Sequence, residues 1–148
     1  MKVEYAIIIK NKTRLESLVE RFNTQAQAKF YIESSGGNFQ EYVDEHEKFG
    51  QSFLEVQTQL SKIIKNKVIE REFVPSYIFS ENNLIVVVGQ DGLVANVAKY
   101  SKHIPIIAVN PDPERYDGVL LPFTAKNFLK GVQAVMNRNF SSKKMKFA

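Results

Sequence analysis

The chain has no cysteine, which excludes a disulfide framework, a thiolate nucleophile and a cysteine-ligated metal. It also has no apolar run near the roughly 20 residues that a membrane-spanning helix needs. The opening residues, Met1-Lys2-Val3-Glu4-Tyr5, run straight into a strand-like segment with no small-residue cleavage site, so no signal peptide is expected. A cytoplasmic location and no membrane partner are the resulting expectations. Internal repeats and low-complexity stretches are missing too. The excess of positive charge is small, 20 Lys and Arg against 16 Asp and Glu, for a net +4. Its clusters, Lys10, Lys12 and Arg14, then Arg138, Lys143, Lys144 and Lys146, lack interleaved aromatics or a reading helix, so nucleic acid is not an expected partner. What remains is 148 residues, 44% hydrophobic and 24% charged, enough for one ordinary globular domain with a core.

Val3 to Ile9 is a β-branched apolar run, read as a buried strand. Thr13 then caps a helix, with Glu16 completing a capping box and Leu15, Leu18, Val19 and Phe22 on one face. A short helix from Thr24 to about Glu33 ends at Gly36-Gly37. Phe39, Tyr42, His46, Phe49, Phe53, Val56, Leu60 and Ile63 then alternate steps of three and four, a heptad pattern along one long helix. That helix lies along a sheet or crosses a subunit boundary, and its aromatic seam makes a homo-oligomer an open expectation. Lys67 to Val74 reads as a second strand closed by Pro75. Leu84 to Val88, five apolar residues without alternation, reads as a central parallel strand. A helix from about Leu93, a strand Ile104 to Val109, a short strand Gly118 to Leu121 and a helix ending near 137–139 follow.

Strands alternating with helices predict an α/β fold: a mostly parallel open sheet with helices on both faces. Residues 1–140 form that domain. Residues 141–148 alternate briefly like a strand and read as a connection.

In such sheets ligands bind beyond the carboxyl ends of the strands, which directs attention to Lys10 to Thr13, Gly89 to Gly92 and Asn110 to Gly118. Gly89-Gln90-Asp91-Gly92 joins a buried strand to a helix, whose free N–H groups and positive dipole end make an anion site. Glycines at 89 and 92 allow a sharp turn and a close backbone approach. Asp91 fits two roles: helix N-cap, or a carboxylate beside bound phosphates that holds Mg²⁺ or accepts a proton. Lys12 and Arg14 sit where a phosphate contact or plain surface charge would both be ordinary. Arg115 and Asp117 suit a ligand contact or an internal loop ion pair. His46 reads as a packed core histidine, His103 as a surface-turn residue, and Asp44, Glu45 and Glu47 as a solvated face.

The stretch NNLIVVVGQDGLVANVAKYSKHIPIIAVNPDP resembles the NAD kinase superfamily, which includes diacylglycerol kinase-like proteins. Leu84 to Val88 match its hydrophobic strand, Gly89, Asp91 and Gly92 its Gly-Gly-Asp-Gly turn, and Pro105 and Asn110 its following strand. Gln90 stands where that turn has its second glycine, Leu93 where a Thr usually follows, and 111–118 replace a Gly-rich segment. The resemblance implies the N-terminal α/β domain of a phosphotransferase that moves a phosphoryl group from ATP or polyphosphate, with Mg²⁺, to the 2′-hydroxyl of NAD. It assigns Asp91 as the base, with Gly89, Gln90, Gly92, Asn110, Lys12 and Arg14 at the nucleotide phosphates. It also implies a C-terminal β domain, missing here, without which the chain alone is inactive. The three departures favour an alternative, a non-catalytic nucleotide-binding or regulatory module that self-associates through its long helix.

Overall fold

Two apolar segments dictate the architecture, because neither has a polar face to turn to water. In the computed structural model, which describes residues 2–145 with side chains as far as Asn137, they become β1 (Tyr5–Lys10) and β3 (Asn83–Val88). Ala6 to Ile9 and Leu84 to Val88 are fully buried. The other strands are β2 (Lys65–Glu70), β4 (Ile106–Asn110) and β5 (Phe123–Thr124). All pairings are parallel, in the order β2-β1-β3-β4-β5. The sheet is thus open and parallel, as expected, with β3 at its centre.

Alternation along the strands divides the core into two layers. Ala6, Ile8, Leu84, Val86 and Val88 face Val56 and Leu60 of α3 (Phe39–Ser61) and Phe128 and Val132 of α5 (Phe128–Met145). Ile7, Ile9, Ile85 and Val87 face Leu93 and Val97 of α4 (Asp91–Ser101). A smaller third cluster joins α1 (Arg14–Phe22), α2 (Gln25–Ser34) and the start of α3 through Leu15, Ala28, Ile32 and Phe39. Thr13 caps α1 in the expected capping box with Glu16, and Thr24 caps α2. Among the described residues no helix is long and apolar enough to cross a membrane.

The heptad seam of α3 is spent inside the chain. Phe39 is buried against α1 and α2, while Phe49, Phe53, Val56 and Leu60 pack on the sheet. Ile63 falls beyond the helix end and is exposed. The pattern therefore reports a long helix lying along the sheet, and offers no free seam for a second copy.

Three boundaries differ from the sequence expectation. The second strand starts at Lys65 and stops at Glu70, and Arg71–Ser76 is a 3-10 helix. Pro75 has no N–H for a ladder, and the tight turn instead carries Val74 to full burial against the α4 layer. Residues 118–121 form a turn: Gly118 adopts φ +57, and a Cβ there would meet Leu121 at 2.8 Å and Asn110 Nδ2 at 3.0 Å. The edge strand begins only at Phe123, after Pro122. Helix α5 continues to Met145, through Ser141 to Lys144, where a connection was expected; 146–148 lie outside the described residues.

The two faces of α3 predict opposite mutational outcomes. Leu60→Ala, at 0% exposure, should lose about 2–5 kcal/mol of stability. Leu54→Gln, at 65% exposure, should stay within about 0.5 kcal/mol of the parent. Urea denaturation of the two variants checks both values.

Candidate nucleotide-phosphate site

β1 sends the chain to one face of the sheet, through α1, α2 and α3 to β2, whereas β3 sends it to the other, through α4 to β4. The two strands are neighbours, so their loops part company at their carboxyl ends. That divergence is the point where open parallel sheets place ligands. Here it forms a cleft of about 330 Å³ lined by loop 11–13, Arg14, Arg71, Gly89, Gln90, Gly92 and, from farther along the chain, Glu45 and Tyr116. A larger basin of about 920 Å³ lies at the opposite end, around Val3, Tyr5, Lys65 and Asn83. It is shallower, and it sits where the strands begin, away from the helix N-termini that follow them. The smaller cleft is the better candidate on both counts.

The structure brings Lys12, Arg14, Gly89, Gln90 and Gly92 together at this cleft. Helix α4 starts after Gln90, its N-cap residue, whose side chain makes no capping hydrogen bond. The equivalent positions before α1, α2 and α3 are filled by Thr13, Thr24 and Asn38, each of which accepts a backbone N–H. The turn works without left-handed glycine, because the positive-φ glycines among the described residues are Gly36 and Gly118. A Cβ at Gly92 would meet nothing within 4 Å, while one at Gly89 would strike the Leu93 side chain at 2.8 Å. Closeness to α4, rather than a special backbone angle, explains Gly89.

Asp91 is neither N-cap nor a lining residue of the cleft. It is the first residue of α4, and its two carboxylate oxygens accept the backbone N–H groups of Val119 (3.1 Å) and Leu120 (2.9 Å). It thereby ties the turn after β4 to the start of α4. Asn110 is 5% exposed and is also engaged: its Nδ2 donates to the Tyr116 carbonyl at 2.8 Å, and its Oδ1 accepts from the Asp112 N–H at 2.9 Å. It shapes the loop that carries Tyr116. Arg115 pairs with Asp112 at 3.0 Å rather than with Asp117.

Glu45 departs from the expected solvated face, on which Asp44 and Glu47 do lie exposed. It is 6% exposed, and its carboxylate accepts Arg14 Nε at 3.0 Å, Arg14 Nη2 at 3.2 Å and the Tyr116 hydroxyl. Burial alone would push this carboxyl up, but the bonds from Arg14 and Tyr116 and the positive charge of Arg14 outweigh it and hold the group below the usual range. Tyr116 moves the other way: burial and the adjacent Glu45 carboxylate both push its phenol up, so it stays a donor. The Glu45 bonds raise Arg14 against a smaller opposing effect of burial. Arg14 also lies over the Tyr42 ring, 4.4 Å from its centroid. His46 is half-exposed rather than packed in the core, with Nδ1 2.9 Å from Thr13 Oγ1. Lys12 pairs with Glu20 at 2.7 Å on the surface, and Arg71 has no ion pair among the described residues.

Glu45, Tyr116 and Arg71 were not singled out from the sequence as site residues. Glu45 did carry a signal, since it falls three residues after Tyr42 and four before Phe49, on the apolar stripe. Tyr116 lay within the Asn110 to Gly118 loop already assigned to the ligand edge, whereas Arg71 carried no signal, because only the fold brings it to the cleft.

The fold and cleft define an open, all-parallel α/β domain with a cation-lined pocket where its chain directions diverge. The sequence itself matches no protein-family model and no curated protein.

Because Glu45 is held below its ordinary value, it contributes stability at neutral pH that is lost as the pH falls through its folded value. Glu45→Gln should lose about 1–3 kcal/mol at neutral pH. That difference should shrink once the pH drops below the ordinary glutamate value of 4.5. Thermal denaturation of both proteins across that range measures it, and a gap that stays constant with pH would remove the carboxylate from the account.

Proposed function

We propose that this chain binds the phosphates of a nucleotide in the cleft between β1 and β3, as the N-terminal α/β domain of an NAD kinase-like phosphotransferase. One observation carries the reading: Lys12, Arg14 and Arg71 surround the uncapped start of α4 in a single cleft. Unpaired N–H groups and a positive dipole end suit an anion, and flanking cations add charge-assisted hydrogen bonds. Residues 89–92 would meet the phosphates through the backbone, so Gln90 serves there as well as a glycine. No three His, Asp or Glu side chains converge as a metal site among the described residues. Mg²⁺ would then arrive on the phosphates of ATP, or on polyphosphate, rather than in a protein cage. NAD is the proposed acceptor by resemblance, and the cytoplasm is the proposed setting because no signal peptide is expected.

Asp91 decides how far the reading extends. As the base, it would take the proton from the acceptor hydroxyl, and its oxygens keep lone pairs beyond the two bonds they accept. A non-catalytic nucleotide-binding or regulatory module is the second reading, favoured by those same two bonds, which give Asp91 a structural task outside the cleft. The packing of the α3 seam leaves that module to self-associate, if at all, through another surface.

Titration calorimetry with ATP and with NAD tests the shared premise, and saturable binding that Arg71→Ala weakens about tenfold is the expected result. Incubation with ATP, Mg²⁺ and NAD then separates the readings, using the chain joined to the C-terminal β domain that the resemblance implies, with Asp91 intact and as Asp91→Asn. Loss of turnover with binding retained supports the base. Binding without turnover in either protein, with a lower melting temperature for the variant, supports the module.

A further inference from the structure

A guanidinium presents five N–H donors in a flat fork. Glu45 takes the Nε–H and one Nη2–H of Arg14, which leaves both Nη1–H groups and one Nη2–H. Those three include a complete second edge, the two-donor edge that grips a phosphate or carboxylate side by side. The plane of the fork is fixed twice, by the Glu45 carboxylate and by the Tyr42 ring beneath it. Glu45 is in turn fixed by the Tyr116 hydroxyl, and α3 is tied to the same loop where Ser52 Oγ donates to the Pro111 carbonyl at 2.6 Å. The Arg14 side chain remains 54% exposed and lines the cleft.

We propose that Arg14 grips a diphosphate group bidentately through its Nη1/Nη2 edge, and that Glu45, clamped by Tyr116, is the positioning residue that holds the fork ready. This rests on the reading of the cleft as a phosphate site and adds the ligand class and the residue that recognises it. Lys12, Arg71 and the start of α4 line the same cleft, so a ligand with several negative charges fits it better than a lone carboxylate. A diphosphate can be inorganic or part of a nucleotide, and the shared group is what Arg14 reads.

The test is calorimetric titration of the full chain with inorganic pyrophosphate, with ADP and with NAD. Arg14→Lys keeps the charge and loses the fork, so pyrophosphate affinity should fall about tenfold. Tyr116→Phe leaves the Arg14–Glu45 pair in place and releases only its clamp, for an expected loss of about threefold. Glu45→Gln should match Arg14→Lys where circular dichroism shows it folded. The Arg14 Nη–H resonances in nitrogen-15 spectra should shift on addition of pyrophosphate to the parent, and stay put in Glu45→Gln. A merely structural Glu45 would change melting temperature without moving that signature. Equal affinity for pyrophosphate and ADP supports an inorganic source, and tighter ADP or NAD a nucleotide one. If the parent binds pyrophosphate while Arg14→Lys and Tyr116→Phe bind it equally well, the role of Arg14 is overturned and the cleft stands. If the parent binds none of the three ligands, the cleft reading falls and the Arg14 role with it.

Discussion

β1 and β3 are buried on both faces, and the rest of the molecule follows from covering them. A strand with apolar side chains on each side cannot lie on the surface of a sheet. Helices must therefore stand on both faces, and two adjacent strands must send their chains to opposite sides. α3 and α5 occupy one face and α4 the other. The divergence between the loops after β1 and β3 is the geometric residue of that requirement. The cleft is a consequence of covering the core, before any functional side chain is considered.

The buried Glu45 adds a constraint of another kind. A carboxylate at 6% exposure is tolerable only with its oxygens filled, since an unpaired buried charge is strongly destabilising. Arg14 and Tyr116 fill them. The arrangement draws the start of α1, the middle of α3 and the loop after β4 to one point, and these segments wall the cleft. Asn110 and Asp91 act in the same region by shaping and tethering that loop and the turn beyond it. The polar residues nearest the cleft thus hold backbone in place first, and any ligand meets a surface already ordered.

The sequence revealed the elements that announce themselves locally. The non-alternating runs at 6–9 and 84–88, the Thr13–Glu16 capping box and the long stripe from Phe39 to Leu60 depend on neighbours within a turn or two, and all appear in the fold. Lys67 to Val74 and Gly118 to Leu121 misled because β-rich composition cannot register a proline that lacks an N–H, or a glycine held left-handed against Asn110. At the site, Gly89, Gln90, Gly92, Lys12 and Arg14 were legible because strand ends and loops can be ordered from the sequence. Tyr116 was legible only as part of the Asn110 to Gly118 loop, and Arg71 was not, since it was read inside a strand that in fact stops at Glu70. Glu45 lay between: its spacing put it on the apolar stripe, but its partners are 31 and 71 positions away.

Those partners also make the cations of the cleft unequal. Lys12 is bound to Glu20 in an open surface pair, which water and salt weaken and an incoming anion can exchange at little cost. Arg71 is exposed and free of ion pairs among the described residues. Arg14 cannot be given up in the same way, because its departure would strand a buried carboxylate. Any anion it binds would therefore meet the edge that Glu45 leaves open, in an orientation set beforehand. One fixed fork with two adjustable charges suits a ligand whose first phosphate is placed by geometry and whose remaining charge is met by side chains that follow it. Preorganisation at a single point lowers the ordering entropy of binding there, while the cations not tied to a buried partner would accommodate variation in what is attached.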